Sequence, residues 1–332
     1  MRKDARIFVA GHRGLVGSAI LRHLGALGHT HLLLRTHDEL DLTDPHATAD
    51  FFQRERPQYV FMAAARVGGI LANQRNPAPF IRDNLLIQTH VIHEAWRSGV
   101  TRLLFLGSSC IYPRMAPQPL KESSLLTGPL EATNRAYALA KIAGIEMCWS
   151  YNRQHSARFL AAMPTNLYGP GDNYDLSNSH VIPALLRKFH EARVNGWPSV
   201  SVWGTGEPMR EFMFSDDMAA ACVFLMNLPD ARFDPLLGNE NVDSDSFDPP
   251  VINVGVGHDI SIRELAQTVA RVVGYRGDIV YDTSKPDGTP RKRLDVSRLH
   301  ALGFQAQTLL EDGLHLALAT SGLVASAPAH AP

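Results

Sequence analysis

Tyr137 and Lys141 form a Y-x-x-x-K pattern in a segment of good helix formers. Because residues four apart lie on one face of a helix, the lysine ammonium can sit beside the phenol and lower its pKa toward neutrality. Such a phenol can give a proton to a carbonyl oxygen while the carbonyl is reduced. Ser108 follows the apolar run LLFLG and can hydrogen-bond the same oxygen. These three residues are the predicted reducing centre, provided that the surrounding elements bring them together.

A glycine-rich segment lies between the first apolar run and the first helical pattern. Residues 11–17 read G-x-x-G-x-x-G, and the helical run SAILRHLGAL follows. Glycines allow a tight turn and close approach of a pyrophosphate, while the N-terminus of a helix offers free N–H donors. The predicted pyrophosphate site consists of Gly11, His12, Arg13, Gly14, Leu15, Val16 and Gly17.

The end of the second apolar run, LLLRTHDEL, distinguishes NADP from NAD. An acidic residue there accepts a hydrogen bond from the ribose 2′-hydroxyl, whereas arginine favours a 2′-phosphate. Arg35 and His37 occupy this place, and Arg13 lies in the glycine turn. NADP(H) is therefore the predicted cofactor. Asp38 keeps NAD open as an alternative, and so does the possibility that Arg35 only faces solvent.

Short apolar runs alternate with helical patterns through the first half of the chain. The runs that read as strands are 7–10, 32–35, 59–64, 103–106 and 159–163. Nearly continuous apolar strands that alternate with helices indicate an α/β fold with a Rossmann-type, doubly wound parallel sheet. We predict an NADP-binding domain over residues 1–170, with returns near 211–228 and 251–256. A smaller α/β domain for the substrate is predicted over 171–332.

Ligands of such sheets bind beyond the carboxyl ends of the strands. The cofactor contacts predicted at these ends are Asp41, Leu42, Leu106, Gly107, Ser109, Pro164, Thr165, Asn166 and Leu167. Asp41 and Leu42 are assigned to the adenine, and a helix cap is the alternative for Asp41. Asn166 and Leu167 are assigned to the nicotinamide side.

The second half of the chain mixes regular elements with turn-rich segments. It predicts helices over 181–192 and 217–228 and strands over 200–204 and 251–256. Two stretches rich in turn residues are predicted loops, and the C-terminal tail is predicted to fray. These three segments are 165–180, 229–250 and 320–332.

Composition excludes several classes of partner. Lys plus Arg (32) and Asp plus Glu (33) nearly cancel, so no broad positive field favours nucleic acid or an acidic membrane. The apolar run near the N-terminus is too short for a signal peptide or a membrane span, which predicts a cytoplasmic protein. Cys110, Cys148 and Cys222 are odd in number and lack a C-x-x-C pair, so neither a disulfide nor a metal site is expected.

Eight stretches of the chain resemble the GDP-L-fucose synthases, the 3,5-epimerase/4-reductases of the extended short-chain dehydrogenase/reductase superfamily. They are AGHRGLVGSAI, AAARVGGILAN, FLGSSCIYP, YALAKIAGIEMC, MPTNLYGPGDN, NSHVIPALL, GEPMREF and SKPDGTPRK. The resemblance covers residues 6–303, and SSCIYP with NSHVIPALL is specific to this family. One departure is His37, which stands where family members usually carry a second basic residue.

The resemblance implies two reactions on a GDP-linked 4-keto sugar in one site. Cys110 and His180 would exchange protons at C3 and C5, because a thiol and an imidazole both titrate near neutrality. NADPH would then reduce C4 while Tyr137, helped by Ser108 and Lys141, protonates the oxygen. Taken alone, Cys110 reads as a packed thiol at a strand end and His180 as a structural or surface residue.

The resemblance also implies substrate contacts at Lys188, Trp203, Arg210 and Asp287. Lys188 and Arg210 would neutralise the diphosphate, and Trp203 would stack on the sugar or nucleotide. The alternatives are an exposed helix lysine, a core tryptophan and a solvent-facing arginine. A homodimer is expected through the two helices that include residues 88–96 and 137–151.

Three other functions compete with this interpretation. A GDP-mannose dehydratase would carry an acidic residue shortly after Ser108, where this chain has Ser109 and Cys110. A UDP-sugar 4-epimerase would retain NAD and would not need Cys110 or His180. A redox-sensing binding protein would be free to lose the pair of Tyr137 and Lys141, which this chain keeps.

Overall fold

The computed structural model describes residues 1–176, 178–238, 249–285 and 287–324. The strands are β1 (Ile7–Ala10), β2 (Leu32–Leu33), β3 (Tyr59–Met62), β4 (Arg102–Leu106), β5 (Phe159–Pro164), β6 (Asn166–Tyr168), β7 (Ser199–Trp203), β8 (Met209–Arg210), β9 (Phe212–Phe214), β10 (Val251–Val254), β11 (Ile260–Ser261), β12 (Asp278–Asp282) and β13 (Arg291–Lys292). The helices are α1 (Leu15–Ala26), α2 (Pro45–Glu55), α3 (Ile70–Arg75), α4 (Pro77–Arg97), α5 (Arg135–His155), α6 (Val181–Asn195), α7 (Ser215–Asn227), α8 (Asp230–Phe233), α9 (Ile262–Val273), α10 (Ser297–Ala301) and α11 (Leu310–Thr320).

A six-stranded sheet in the order β10-β5-β4-β3-β1-β2 forms the centre of the molecule. All five pairings between neighbouring strands are parallel. Alternate strand residues point to opposite faces, so Phe8 and Phe105 join one core while Ile7 and Leu104 join the other. Helices α2, α4 and α5 cover the first face, and α1 and α7 cover the second. The predicted doubly wound α/β fold is confirmed.

A second region packs around a separate core. Helices α6, α9 and α11 contribute Phe189, Leu265 and Leu314, which are fully or almost fully buried. Beside them lie the parallel pair β7-β12 and a three-stranded sheet in the order β11-β8-β13. These short strands carry Trp203 and Arg210 at their ends.

The boundary proposed at residue 170 is crossed in both directions by the chain. Strand β10 lies in the central sheet, and α7 packs on α1, although both come late in sequence. The predicted loop over 165–180 is partly wrong, since residues 166–168 form β6 and pair with β9. This pairing joins the end of the central sheet to the second region.

The predicted surface loop over 229–250 is wrong at its beginning. Residues 230–237 form α8 and a 3₁₀ turn, and Phe233 is fully buried. The guanidinium carbon of Arg102 lies 4.0 Å from the centroid of the Phe233 ring. This anchor joins residues 131 positions apart in the chain, so the local turn chemistry of the segment does not indicate it. Residues 239–248 lie outside the described ranges, as do 325–332 of the tail.

None of the helices within the described ranges has the length and apolar character needed to cross a membrane. All three cysteines are free and buried. Among the described residues, no cluster of three or more histidine, cysteine or acidic side chains is arranged to hold a metal ion.

Candidate active site

The glycine turn connects β1 to α1 and lies at the carboxyl edge of the central sheet. Gly11 has φ +80°, and a Cβ atom there would lie 2.7 Å from the backbone nitrogen of Ala64. A Cβ at Gly17 would lie 2.1 Å from the carbonyl oxygen of Gly11. Gly14 caps α1 without any side-chain hydrogen bond, so the first turn of the helix presents backbone N–H groups. This cradle fits the pyrophosphate of a dinucleotide.

A polar atom in the same turn lacks a protein partner. The Nδ1 atom of His12 is buried and has no hydrogen bond within the described part of the chain. Arg13, the next residue, is exposed. Buried polar atoms are nearly always hydrogen-bonded in native proteins, so an unpartnered nitrogen here is consistent with a bound ligand.

Arg35 has partners that its sequence position does not indicate. Strand β2 ends at Leu33, earlier than predicted, and the Arg35 guanidinium donates to Glu55 Oε1 at 2.6 Å and to the carbonyl oxygen of Leu34 at 2.7 Å. Its carbon lies 5.5 Å from the centroid of the Phe51 ring. The alternative of an arginine that only faces solvent is therefore wrong. A 2′-phosphate would have to compete with the Glu55 carboxylate for it.

Glu39 is a second acidic residue near this place. Its carboxylate accepts from the Thr36 backbone N–H at 2.7 Å. Hydrogen bonds from Thr36 hold its pKa below the usual range, and the charges of Arg35 and Arg13 lower it further. Both arginines therefore lie close enough to act on one site. This site carries charges of both signs, because Glu39 and Glu55 lie in it together with the two arginines.

Asp41 forms a local turn. Its Oδ1 accepts from the Thr43 backbone N–H at 2.9 Å and from the Thr43 hydroxyl at 2.7 Å, and these bonds lower the pKa of Asp41. His37 lies 3.8 Å from the same oxygen. The residue that caps α2 is Asp44, so the helix-cap alternative for Asp41 is wrong. Leu42 is buried in the core beside this turn.

Lys141 lies on the first turns of α5 together with Tyr137. Its ammonium donates to the carbonyl oxygen of Leu106 at 2.8 Å and lies 5.8 Å from the centroid of the Tyr137 ring. Burial lowers the pKa of Lys141 to about 8. The helix thus brings the two side chains to the end of β4, as the i, i+4 spacing predicts.

The expected direction of the Tyr137 shift is wrong. Burial raises the pKa of the phenol, and the neighbouring Cys110 raises it further. The Lys141 ammonium points to the Leu106 carbonyl instead of forming a close ion pair with the phenol oxygen. Tyr137 is therefore neutral throughout the physiological range, which is the form that can donate a proton.

Ser108, Ser109 and Cys110 form the turn that leaves β4. Ser108 has extended backbone angles, and its hydroxyl accepts from the Cys110 N–H at 3.4 Å. Gly107 lets the strand end pack tightly, since a Cβ there would lie 1.9 Å from Met163 Cε. Cys110 is only 7% exposed. Burial raises the pKa of its thiol, and the charge of Lys292 opposes this shift.

His180 occupies the position before the first residue of α6. It is exposed on one side, while the protein around the ring and the charge of Lys292 lower its pKa. Lys292 therefore lies close to both Cys110 and His180. The segment before His180 packs on a glycine, because a Cβ at Gly69 would lie 3.3 Å from the Ser179 carbonyl oxygen. The glycine pair in AAARVGG is a sequence feature that could have indicated this close approach.

The residues that follow β5 are held by the second region. The Thr165 hydroxyl and the Asn166 side-chain amide donate to the carbonyl oxygen of Glu211 at 3.0 and 2.8 Å. The Glu211 carboxylate is fully buried and accepts three backbone N–H groups. These come from Val256, Gly257 and Leu294. Sequence analysis missed Glu211, although it lies in the run EPMREF.

The four predicted substrate residues lie on neighbouring elements. Trp203 ends β7 and is 49% exposed, so the alternative of a core tryptophan is wrong. The Lys188 ammonium lies 5.5 Å from the centroid of its ring. Arg210 Nη2 is 3.5 Å from the carbonyl oxygen of Asp287. Burial lowers the pKa of Arg210, so this guanidinium lies against protein and is not the purely solvent-facing group of the alternative.

Two lysines near these residues were missed by sequence analysis. Lys285 lies 5.8 Å from the Trp203 ring, so the indole has a cation on each of two neighbouring segments. Lys292 is paired in register with Arg210 across β13 and β8. Both belong to SKPDGTPRK, where only Asp287 was assigned. Their positions depend on strand pairings that a single sequence does not give.

The chain is similar to known proteins over nearly its whole length. Residues 7–237 match the NAD dependent epimerase/dehydratase family. GDP-L-fucose synthase of Escherichia coli (strain K12) is 56% identical over 313 residues, which is 93% of this chain and 94% of that protein. Putative GDP-L-fucose synthase 2 of Arabidopsis thaliana is 56% identical, with 95% and 90% covered.

Among solved structures, GDP-mannoheptose C4 reductase from Campylobacter jejuni with NADP bound superimposes with a TM-score of 0.85. It is 37% identical and covers 98% of this chain and 100% of that one. The sequence matches extend over nearly the whole length of the relatives. The chain therefore belongs to the NAD dependent epimerase/dehydratase family and, within it, to the GDP-L-fucose synthases.

Proposed function

We propose that this chain converts GDP-4-keto-6-deoxy-D-mannose into GDP-L-fucose, by epimerisation at C3 and C5 followed by NADPH-dependent reduction at C4. The observation that carries the proposal is the arrangement at the end of β4. A reducing pair, Tyr137 and Lys141, lies beside a buried cysteine that interacts electrostatically with both. A simple carbonyl reductase has no use for that thiol.

NADP(H) is the cofactor, and the residues of the glycine turn fit its pyrophosphate. Gly11 and Gly17 leave space that a Cβ would fill, and the N-terminus of α1 offers N–H donors to the phosphates. Arg13 and Arg35 are assigned to the 2′-phosphate. When bound, the cofactor supplies the hydride for C4. The contacts assigned to the remaining cofactor residues, from Asp41 to Leu167, are part of the same proposal.

In the reduction, Tyr137 gives a proton to the C4 oxygen. Burial keeps the phenol protonated until that oxygen gains negative charge. Ser108 lies two residues after the end of β4 and donates a hydrogen bond to the same oxygen. Lys141 is fixed by the Leu106 carbonyl and supplies positive charge behind the phenol. Its pKa of about 8 leaves most of the ammonium charged at neutral pH.

In the epimerisation, Cys110 and His180 exchange protons with C3 and C5. The C4 ketone makes these protons acidic, because loss of either one gives an enolate. One group removes the proton and the other returns a proton to the opposite face. Cys110 follows β4 of the central sheet and His180 precedes α6 of the second region, so the two groups come from different regions of the chain.

The GDP moiety is assigned to the second region. Lys188 and Arg210 neutralise the diphosphate, and the exposed indole of Trp203 stacks on a ring of the substrate. Asp287 holds the loop beside them, since its carboxylate accepts from the Thr205 N–H at 2.7 Å and from the Thr205 hydroxyl at 2.9 Å.

A homodimer built from α4 and α5 and a cytoplasmic location belong to the same proposal. Helices α4 and α5 pack side by side along the first face of the sheet. Leu139, on α5, is 43% exposed in the single chain. Burial of this side chain and its neighbours would stabilise a dimer.

The proposal is tested by mixing the purified chain with NADPH and GDP-4-keto-6-deoxymannose and following the absorbance of the reduced nicotinamide. We expect oxidation of NADPH and formation of GDP-L-fucose, identified by its sugar configuration. Absence of oxidation would disprove the reductase. Oxidation that gave a product unchanged at C3 and C5 would disprove the epimerase.

A further inference from the structure

Lys292 is a half-buried lysine beside the proposed catalytic groups, and neither the sequence analysis nor the proposed mechanism uses it. It ends β13, whose register with β8 puts it opposite Arg210. Within the described ranges, its ammonium has no hydrogen bond and no ion pair. Partial burial of a cation without a partner costs free energy.

The thiol of Cys110 lies in the same small cavity as Lys292. Glu131, Asn134 and Thr289 are further residues of its lining. The effects of the two groups on each other are reciprocal. Apart from burial, the charge of Lys292 is the largest influence on the Cys110 thiol, and it favours the thiolate. Burial lowers the pKa of Lys292; after burial, Cys110 is the largest influence on it, and Cys110 favours the ammonium.

The other groups around Cys110 carry no charge or affect its ionisation less than Lys292 does. From its own turn, the uncharged hydroxyl of Ser108 lowers the pKa of the thiol less than Lys292 does. From α5, Lys141 favours the thiolate less than Lys292 does, and its ammonium is bound to the Leu106 carbonyl. Tyr137, also from α5, is neutral.

Besides Cys110, three charged or titratable groups face Lys292 from other elements. Arg210 repels it from β8, whereas Glu131 attracts it from the segment before α5. The Glu131 carboxylate is itself paired with Arg114 Nε at 3.2 Å. His180, at the start of α6, loses affinity for its proton because of Lys292. Among the residues that the structure describes, Lys292 therefore promotes the ionisation of Cys110 and of no other proposed proton-transfer group.

We propose that Lys292 is a positioning residue for the epimerisation: its ammonium stabilises the thiolate of Cys110 and so allows the sulfur to act as a base. The inference rests on the proposed function, because it explains how a buried thiol can take a proton from the sugar. No atom of Lys292 forms or breaks a bond in this role. When the thiolate accepts the proton, the interaction with Lys292 weakens, and it returns when the thiol releases a proton again.

The test is a titration of the thiolate in the full chain without cofactor or substrate. The absorbance of the thiolate in the ultraviolet is followed against pH, and the curve of Cys110→Ser is subtracted. Cys148 and Cys222 do not interfere, because burial raises the pKa of both thiols far above the range scanned. The variants are Lys292→Met and Lys292→Arg. Lys121→Met, which changes an exposed lysine outside the cavity, is the matched control.

We expect the midpoint of the Cys110 titration to rise by about one pH unit in Lys292→Met. The midpoint should return toward the parent value in Lys292→Arg and stay unchanged in Lys121→Met. An unchanged midpoint in Lys292→Met would overturn the inference. Circular dichroism checks that each variant folds. If Lys292→Met does not fold, Lys292→Gln replaces it, and we expect the same rise in the midpoint.

A second measurement connects the titration to the reaction. Deuterium incorporation from solvent at C3 and C5 should slow about tenfold in Lys292→Met near neutral pH, because the thiolate fraction falls tenfold for each unit of rise in pKa. The loss should disappear at higher pH, which a merely structural defect would not do. If the parent chain catalysed no exchange, the proposed function would fail while the titration still decided the role of Lys292.

Discussion

The proposed cofactor site is built mainly from consecutive residues, whereas the proposed substrate site is assembled from distant segments. Residues 11–17 alone form the cradle for the pyrophosphate, and its shape follows from backbone geometry at two glycines. In the other site, Lys188, Trp203 and Arg210 come from three elements. Lys188 lies 5.5 Å from the Trp203 ring, and Arg210 lies against Asp287, whose carboxylate binds Thr205. A single substitution in the glycine turn should therefore disrupt the proposed cofactor site, whereas the proposed substrate site depends on the packing of several elements.

Substitution of either proposed proton-transfer group should cause the largest loss of activity. Cys110→Ser or His180→Gln should slow deuterium incorporation at C3 or C5 by about 10²–10⁴-fold, the contribution of a general acid or base. The incorporation is measured by nuclear magnetic resonance of the recovered sugar. Cys222→Ala, a change to a fully buried thiol in α7, is the control and should leave the exchange unaffected. Normal exchange in both catalytic variants would remove these two residues from the mechanism.

The glycine turn gives the next largest effect. Gly17→Ala should weaken NADPH binding at least about tenfold, because the new Cβ would lie 2.1 Å from the Gly11 carbonyl oxygen and the turn would have to open. The matched control is Gly25→Ala in the same helix, where the added Cβ would meet no atom within 4 Å apart from its chain neighbours and the backbone of its own helix.

For Gly25→Ala we expect unchanged NADPH binding and a rise of about 1 kcal/mol in the free energy of unfolding, because alanine favours a helix over glycine. Binding is measured by the fluorescence of bound NADPH and stability by urea unfolding. Equal binding by the two alanine variants would contradict the assignment of the turn.

A substitution at Trp203 tests the proposed substrate site. Trp203→Ala should raise the KM for the GDP-sugar about fivefold to tenfold and leave NADPH binding unchanged, because stacking on an aromatic ring contributes about 1 kcal/mol. Trp197→Ala is a close control, since both tryptophans are 49% exposed. If Trp197→Ala raised the KM as much, exposure alone would account for the loss, and the assignment of Trp203 to the substrate would be wrong.

The smallest expected effect concerns the 2′-phosphate. Glu55→Gln releases the Arg35 guanidinium from a carboxylate at 2.6 Å, so NADPH should bind about twofold to fivefold more tightly while NADH binding stays constant. Asp50→Asn removes an exposed acid from the same helix and is the control. Equal gains for NADPH and NADH would show that Arg35 does not contact the phosphate.

The same contrast explains what could be predicted from the sequence. The parallel sheet, the glycine turn and the helical pair of Tyr137 and Lys141 follow from local patterns, and the structure contains all of them. The partner of Arg35 was not predictable, because Glu55 lies 20 residues away on another element. The pKa of Tyr137 moves opposite to expectation because it depends on burial, and burial is a property of the packed molecule.

Buried polar groups show most clearly what a single sequence does not predict. Glu211 reads in the sequence as an ordinary charged residue, yet its carboxylate is fully buried and accepts N–H groups from residues 45, 46 and 83 positions away. It joins the end of β5 to the strands that carry Arg210 and Lys292. A single sequence gives no period or motif for such a contact.

In the proposed mechanism, one site performs two reactions with separate groups. Tyr137→Phe tests this most directly, with NADPH oxidation and deuterium incorporation at C3 and C5 measured on the same sample. The account predicts that oxidation falls by at least about 10²-fold while deuterium incorporation continues at close to the parent rate. Loss of both activities together would contradict the division of labour between Tyr137 and the pair of Cys110 and His180.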